Sequence, residues 1–524
     1  MRLIKSTAII GSLTLVSRLL GLVRDMLIAK FLGAGVISDA FFTAFKLPNV
    51  FRKMFAEGAF NAAFIPLYAR KLEEEGQHSA DAFAKESVSA LLVVVAFLVI
   101  VFELTMPWSL SIIGFGLDKA VDHSSGISPY YLAVVYAQIT MPYLLFMSLT
   151  ALYSGILNTR NHFALAAAIP IVLNLFMIST LFILGFSGYN QKIIGYFLTI
   201  AITLSGFVQM SLVVWGCRKA GVKIGLKRPR ITPGVKRLFF LGVPGLLSAG
   251  ITQINLLVSH AIATMEKGAA SWLTYADRLY QLPLGIIGIA MGVALLPSLT
   301  RRLRSGDERG AKVSLNRAVE IAAFFTIPAA FALATIPYFL IDALFERGAF
   351  TAFTTSQVSI ALEMFAYGLP AFVLLKVLTP AFFARENTKT PMVFAAISAL
   401  INVTFGLYLF INIGFHGLAL ATSIAGWVNV LALILVLIKN KHFTPDHRLL
   451  TRVPRIIMAS VSMSLVLQVV APFVELQASY GGLISDLLSL MLVCFIGLLV
   501  YSLSAALLRA FDLSDIRDAL KRST

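Results

Sequence analysis

The sequence is poor in charge. Of its 524 residues only 13% are Asp, Glu, Lys or Arg, whereas 58% are hydrophobic. Soluble globular domains carry about 25% charged residues, so this composition excludes a soluble protein and indicates an integral membrane protein. Cysteine is scarce too, with only Cys217 and Cys494, which excludes a disulfide framework.

The residues that usually carry enzyme chemistry are also few. The chain has seven scattered histidines, no H-E-x-x-H motif and no run of carboxylates at metal-ligand spacing. An intramembrane glycosyltransferase or polymerase would need an acidic base or a metal site. The sequence therefore predicts a protein that is not an enzyme and has no metal or cofactor.

The apolar residues fall into long runs. Each run is long enough for the about 20 residues that a spanning helix needs, and together they predict an all-α membrane protein with about fourteen transmembrane helices. The predicted spans are 8–32, 37–69, 87–113, 130–157, 163–186, 192–216, 237–263, 269–300, 317–341, 356–383, 391–411, 416–438, 454–475 and 483–508.

The basic residues predict the orientation. If the N-terminus is cytoplasmic, the inside segments hold 31 Lys and Arg and the outside loops hold 4. This asymmetry predicts that both termini are cytoplasmic. The formal net charge of +17 is then largely a consequence of topology, and we do not expect nucleic-acid binding.

The first two spans are unusual because they contain many charges. These are Arg18, Arg24, Asp25, Lys30, Asp39, Lys46, Arg52, Lys53 and Glu57. A charge near mid-bilayer costs at least about 2.5–3.5 kcal/mol, so these side chains should face a wet cavity lined by protein. With six positive and three negative groups, that cavity would suit an anionic cargo.

Helical spacing groups some of these residues. Ser17 and Arg24 share one face of the first span, and Arg18 and Asp25 share another. Arg24 lies nine residues before Gly33, about 13 Å along a helix axis, which is deep for a side chain that only reaches back to the surface. In the long second span we expect breaks at Pro48 and Gly58.

Asn49 and Arg52 follow Pro48 at a spacing of three, so both should face the opening at that bend. Lys53 and Glu57 are four residues apart, and an ordinary ion pair explains them as well as a functional role does.

An internal repeat relates the two halves of the chain. Residues 40–71 align with residues 271–302 at an offset of 231, and Asn174 aligns with Asn402 at an offset of 228. The repeat predicts two parallel six-helix bundles around a central cavity, with two extra C-terminal helices. The predicted domains are a lobe of residues 1–217, a basic linker 218–236, a second lobe 237–440, and residues 441–524 with the last two helices and a tail.

The eighth span resembles the second in its length and its prolines. It is interrupted in sequence by Pro283 and by several glycines, and it carries Asp277 and Arg278 about 15 Å below Gly268. Broken helices at matching places in two repeats predict a transport site between them. A local charge pair is the alternative for Asp277 and Arg278. Lys376 in the tenth span could line the cavity or extend to the cytoplasmic surface.

With these features in place, the chain resembles the MurJ/MviN family of lipid II flippases, within the multidrug/oligosaccharidyl-lipid/polysaccharide exporter superfamily. The resemblance covers essentially the whole chain. It depends on SRLLGLVRD (17–25), GAGVISDAFFTAFKLPNVFRKMFAEGAF (33–60), SWLTYADRL (271–279), LPLGIIGIAMGVALLPSL (282–299) and KVLTPAFFARENTKTP (376–391).

The resemblance implies a flippase in the bacterial inner membrane that moves lipid II, an undecaprenyl-pyrophosphate-linked peptidoglycan precursor, to the periplasmic leaflet by alternating access. It implies that cavity arginines bind the pyrophosphate, and that the last two spans form a groove for the prenyl tail. The implied substrate-binding residues are Arg18, Arg24, Arg52, Arg278, Asn49, Ser17, Ser271 and Asp39, with Asp25, Lys46, Asp277, Gln281 and Lys376 in support.

One position departs from the family pattern. Relatives have a glutamate where this chain has Gln281, so a charge or proton role of that acid is in doubt here. Arginine suits a pyrophosphate cargo because its planar fork can donate two hydrogen bonds to one phosphate group.

Other functions and partners stay open. A multidrug exporter, or an exporter of another lipid-linked oligosaccharide, would have the same architecture, but a drug antiporter would favour buried carboxylates over arginines. A scaffold for cell-wall enzymes is a further alternative. We expect a monomer that contacts membrane lipids and cell-wall synthesis enzymes, driven by the membrane potential or an ion gradient.

Overall fold

A computed structural model describes residues 2–54, 60–118, 128–230, 232–478 and 482–510, with only the backbone described for residues 2–8, 60–62, 244–249, 286–294 and 476–478. These residues form nineteen α-helices and no β-strand, which confirms the predicted all-α class. The helices are α1 (Arg2–Leu32), α2 (Val36–Arg52), α3 (Phe60–Glu74), α4 (Gly76–Leu104), α5 (Met106–Ile113), α6 (Pro129–Thr140), α7 (Tyr143–Thr159), α8 (Phe163–Phe186), α9 (Gln191–Lys219), α10 (Pro233–Ala263), α11 (Ala269–Arg304), α12 (Glu308–Thr335), α13 (Pro337–Phe345), α14 (Ala352–Ala366), α15 (Leu369–Phe383), α16 (Lys389–Ile413), α17 (His416–Lys439), α18 (His447–Ala478) and α19 (Gly482–Leu507).

Five of the predicted spans consist of two consecutive helices each. They are the pairs α2–α3, α4–α5, α6–α7, α12–α13 and α14–α15. The second helix of three of these pairs has a proline in its first turn, namely Pro107 in α5, Pro337 in α13 and Pro370 in α15. Proline lacks the N–H that an interior helical residue must donate, so it is well placed at a helix start.

Two of the predicted breaks are wrong. Pro48 lies inside α2, which continues to Arg52 before a π-helical turn at 53–54, and Gly58 lies outside the described residues. The backbone of α11 is helical from Ala269 to Arg304, so Pro283 does not interrupt it. A proline inside a membrane helix removes one backbone hydrogen bond, which can bend the helix without ending it.

Ten helical segments within the described residues are long and apolar enough to cross a membrane. They include the last two helices, which confirms a multi-pass membrane protein. The predicted spans outside this set are the first, second, seventh and eighth. These are the first two spans of each repeat, and three of them contain the buried charges that the sequence pointed to.

The order of helices repeats along the chain. The series α4–α5, α6–α7, α8 and α9 recurs as α12–α13, α14–α15, α16 and α17. The breaks recur as well, since Thr105 separates α4 from α5 and Ile336 separates α12 from α13. The helix order thus agrees with two parallel repeats followed by two additional helices.

The described residues pack into two compact units. Unit 1 comprises residues 1–271 with Arg347–Phe350, and unit 2 comprises residues 272–346 and 351–524. Within unit 1, α1 packs on α8 and α2 packs on α6, whereas in unit 2 α16 packs on α17 and α18 packs on both α12 and α19. The lobe and linker boundaries that the sequence suggested stay predictions.

A buried ion-pair cluster attaches α18 to α12. The side chain of Glu320 is only 3% exposed. Its carboxylate contacts Arg452 Nη1 at 2.5 Å and Arg448 Nε at 3.2 Å. Arg317 bridges Glu320 and Asp446. Several cations around one acid offset the cost of removing its charge from water, so Glu320 is the electrostatic centre of this helix contact.

We expect Glu320→Gln to destabilise the protein. The change removes the carboxylate charge that the buried Arg452 contacts, which should cost about 3–5 kcal/mol and lower the melting temperature in detergent. The matched control is Glu308→Gln: Glu308 pairs with Arg385 at 3.1 Å but its side chain is 56% exposed, so the loss should stay within about 1 kcal/mol. Equal melting of the two variants would contradict this assignment.

Candidate functional site

Arg24 lies buried in the C-terminal third of α1, with 8% of its surface exposed. Its Nε and Nη2 donate to Asp25 Oδ1 at 3.0 and 2.7 Å, and its Nη1 donates to Asn174 Oδ1 at 2.9 Å. The neighbouring carboxylate neutralises a guanidinium that burial would otherwise penalise. Arg24 is therefore fixed by two side chains, one on its own helix and one on α8.

Asn174 is the residue of this site that the sequence reasoning missed. It is 4% exposed, and its Nδ2 donates to the backbone carbonyl of Ser17 at 2.9 Å. A Cβ at Gly21 would lie 3.8 Å from this Nδ2, so α1 and α8 approach closely here. The available signal was an asparagine in an otherwise apolar span, at a position that recurs in the repeat.

The other predicted residues of α1 lie close to this network. Ser17 contributes its backbone carbonyl, as described, and Arg18 is half-buried. Asp25 was grouped with Arg18 on helical spacing, but its carboxylate pairs with the adjacent Arg24.

On α2, Asn49 and Arg52, which were predicted to face the same way, contact each other. Arg52 Nε donates to Asn49 Oδ1 at 3.0 Å, and both residues are half-buried, as is Lys46. The spacing of three residues brings the amide and the guanidinium to one face. Whether this face binds substrate stays a prediction, as it does for every residue of the predicted site.

Asp39 and Ser271, both predicted in the site, lie against each other in unit 1. Asp39 is 3% exposed; its Oδ2 accepts from Gly268 N at 2.7 Å, and its Oδ1 accepts from Ser271 N at 2.9 Å and Ser271 Oγ at 2.5 Å. The N–H groups at a helix start lack intrahelical partners and carry partial positive charge. Asp39 thus caps α11 from α2.

Two further contacts lie near the same ends of these helices. Lys30 O accepts from Ala349 N at 2.8 Å, and Thr43 Oγ1 lies 3.0 Å from His260 Nε2 in a buried pair. Gly33 has a φ of +67°, and a Cβ there would meet Ala349 O at 2.5 Å. Glycine at position 33 thus permits both the turn after α1 and the close approach of the Arg347–Phe350 stretch.

In unit 2, Asp277 and Arg278 are half-buried on α11 and Lys376 is exposed on α15. The Gln281 amide donates to Asp277 Oδ2 one helical turn away. A glutamate at position 281 would place a second carboxylate beside Asp277, whereas the glutamine supplies a hydrogen-bond donor. Gln281 therefore acts locally as a hydrogen-bond donor to the Asp277 carboxylate.

No group of three or more His, Cys, Asp and Glu residues that could hold a metal ion occurs in the described parts of the chain. The arrangement instead offers guanidinium donors: Arg24, which Asn174 Oδ1 holds, and Arg52, which Asn49 Oδ1 holds. Such donors suit the oxygens of an anionic ligand.

Known proteins resemble this chain over nearly its full length. A family model described as "Lipid II flippase MurJ" matches residues 28–507. A "Probable lipid II flippase MurJ" of Rhizobium meliloti is 42% identical over 526 residues, covering 100% of this chain and 97% of that protein. The "Lipid II flippase MurJ" of Burkholderia cenocepacia is 34% identical over 452 residues, covering 85% of this chain and 86% of its own.

Solved structures agree with these relatives. One described as "Lipid II flippase MurJ, inward closed conformation" has a TM-score of 0.74 and 28% identity, and the match covers 95% of this chain and 98% of that one. An inward-facing multidrug transporter of the MATE family has a TM-score of 0.68 over 83% of this chain and 97% of that one, at 15% identity, so it shares the fold alone. The resemblance suggested by the sequence motifs is confirmed, and the chain belongs to the lipid II flippase MurJ family.

Proposed function

We propose that this protein moves lipid II from the cytoplasmic to the periplasmic leaflet of the bacterial inner membrane, with both termini in the cytoplasm. The observation that carries the proposal is the buried Arg24 of α1, held by Asp25 and Asn174. A buried charge in a membrane protein is costly, and binding of an anionic cargo supplies a reason for its presence. The family match and the named relatives support the cargo.

The pyrophosphate is the part of lipid II that Arg24, Arg52 and Arg278 would bind in this proposal. A guanidinium has five N–H donors, and the three bonds of Arg24 to Asp25 and Asn174 use three of them. The other two can donate to phosphate oxygens. Arginine also stays charged in any protein environment, so the cargo meets the same charge throughout the cycle.

Alternating access would proceed by movement of the two six-helix lobes. The hydrogen bonds from Gly268 and Ser271 to Asp39, and the bond from Ala349 to Lys30, would hold the periplasmic side closed. Opening would exchange these bonds for bonds to water. In this proposal the exchange of hydrogen bonds uses no cofactor. The protein works as a monomer.

Loss of any of the three arginines should abolish function. Arg24→Ala, Arg52→Ala and Arg278→Ala are each expected to fail to support growth of a strain depleted of its own flippase, although the protein reaches the membrane. Lysine should rescue poorly because it cannot donate two bonds to one phosphate group. The control is Arg302→Ala, at an exposed pair with Asp307, which should support growth. Normal growth with all three alanine variants would refute the binding of pyrophosphate by these residues.

Weakening the contact at Asp39 should open the periplasmic side. In a variant lacking Cys217 and Cys494, a cysteine in place of the fully buried Ala269 should react slowly with a membrane-impermeant thiol reagent. Asp39→Asn removes a charged acceptor of three hydrogen bonds, each worth about 1.5–3 kcal/mol, so labelling should become at least about tenfold faster.

The matched control for Asp39→Asn is Asp307→Asn. Asp307 also caps a helix, since its Oδ1 accepts from Gly310 N at 2.7 Å, but it is exposed at the start of α12. Its substitution should leave labelling at position 269 unchanged. If Asp39→Asn leaves the labelling rate unchanged as well, the contact does not control periplasmic access.

The membrane potential would favour outward movement of this cargo. The potential is negative inside, and each elementary charge crossing 100 mV changes the free energy by about 2.3 kcal/mol. Collapsing the potential with valinomycin and potassium at constant pH should therefore slow lipid II translocation in vesicles that contain the protein. An unchanged rate would point to an ion gradient instead.

A further inference from the structure

We propose that Asn174 is a positioning residue that sets the direction in which Arg24 presents its guanidinium to the cargo. This inference rests on the proposed binding of pyrophosphate by Arg24, and it assigns a role to a residue of a different helix that was not among the predicted site residues. The evidence is one chain of hydrogen bonds from the backbone of α1, through the Asn174 amide, to the Arg24 side chain.

The two partners of Arg24 act on different parts of its guanidinium. Asp25 accepts from Nε and Nη2 through a single oxygen, at 3.0 and 2.7 Å. Asp25 neutralises the charge, but an acceptor on one edge still permits the side chain to tilt about that oxygen. Asn174 accepts from Nη1 at 2.9 Å. A third bond at a different nitrogen fixes the plane of the group, and with it the direction of the two N–H groups beyond these bonds.

Asn174 is itself held in one orientation. Its Nδ2 donates to Ser17 O while its Oδ1 accepts from Arg24, so a flipped amide would place donor against donor and acceptor against acceptor. Ser17 and Arg24 are seven residues apart on α1, about two helical turns. The amide therefore fixes the guanidinium relative to the backbone of the same helix that carries it.

The repeat supplies a natural comparison. Asn402 aligns with Asn174, lies in the corresponding helix α16 and has the same 4% exposure. Its Oδ1 accepts from Thr422 Oγ1 on α17 at 3.1 Å. At the offset of 231 that relates the early spans, the position equivalent to Arg24 is the neutral Asn255. The asparagine oxygen thus accepts from a guanidinium in one repeat and from a hydroxyl in the other.

The test compares Asn174→Leu with Asn402→Leu in the full-length protein in detergent. Both substitutions replace an equally buried amide with an apolar side chain of similar size, so both should lower the melting temperature to a similar degree. Affinity for purified lipid II should fall at least about tenfold in Asn174→Leu, since a hydrogen bond to a charged group is lost, and should change less than about twofold in Asn402→Leu.

A double-mutant cycle separates positioning from a general loss of structure. If Asn174 acts through Arg24, Asn174→Leu should cause no further loss of affinity in an Arg24→Ala background, because coupled residues are not additive. Independent, additive losses would overturn the proposal. If Asn174→Leu does not reach the membrane, Asn174→Ser and Asn402→Ser make the same comparison, because serine is too short to contact Arg24.

The outcomes distinguish the positioning role of Asn174 from the proposed binding of pyrophosphate by Arg24. If Arg24→Ala binds lipid II as the unmodified protein does, the proposed binding of pyrophosphate by Arg24 is wrong. If Arg24→Ala loses affinity but Asn174→Leu binds as well as Asn402→Leu, only the positioning role is wrong. Loss in both Arg24→Ala and Asn174→Leu, with no additional loss in the double variant, is the result we expect.

Discussion

A guanidinium cannot remain in the hydrocarbon region of a membrane unless the protein compensates its charge. In this protein the compensation of Arg24 comes from the adjacent Asp25 and from Asn174 on α8. The requirement determines how α1 packs, since α8 must approach closely enough for its asparagine to reach both the guanidinium and the Ser17 carbonyl. A Cβ at Gly21 would lie 3.8 Å from the Asn174 amide nitrogen, an ordinary contact distance, so the two helices touch at this point.

The need to compensate a buried charge is met differently at Glu320 and at Arg24. Glu320 is also a buried charge, but three arginines surround it and Arg452 is only 8% exposed at its side chain. That cluster holds helices together, as a structural ion-pair network does. Among the described residues, Arg24 contacts one acid and one amide, and two of its N–H groups lie outside these bonds. We interpret the surplus of donors, more than burial by itself, as the mark of a binding role.

The repeat and its departures are equally informative. The two series of helices have breaks at matching places. Within that pattern, Asn174 and Asn402 keep the same residue type and burial but contact different partners. Asp39 and Ser271 are not equivalent positions of the repeat. They bond to each other and so join the start of α2 to the start of α11. The contacts of equivalent side chains thus depart from symmetry within a symmetric order of helices.

Hydrophobicity and charge in the sequence determined the membrane class, the approximate spans and the repeat, because a spanning helix needs about 20 mostly apolar residues. They also singled out Arg24 and Arg52, since charges inside such helices are rare. The tertiary structure decided which groups compensate those charges. No local rule links Asn174 to a residue 150 positions earlier in the chain, or shows that Asp39 caps α11. Those contacts depend on which helices pack together, and spacing along a single helix carries no information about its neighbours.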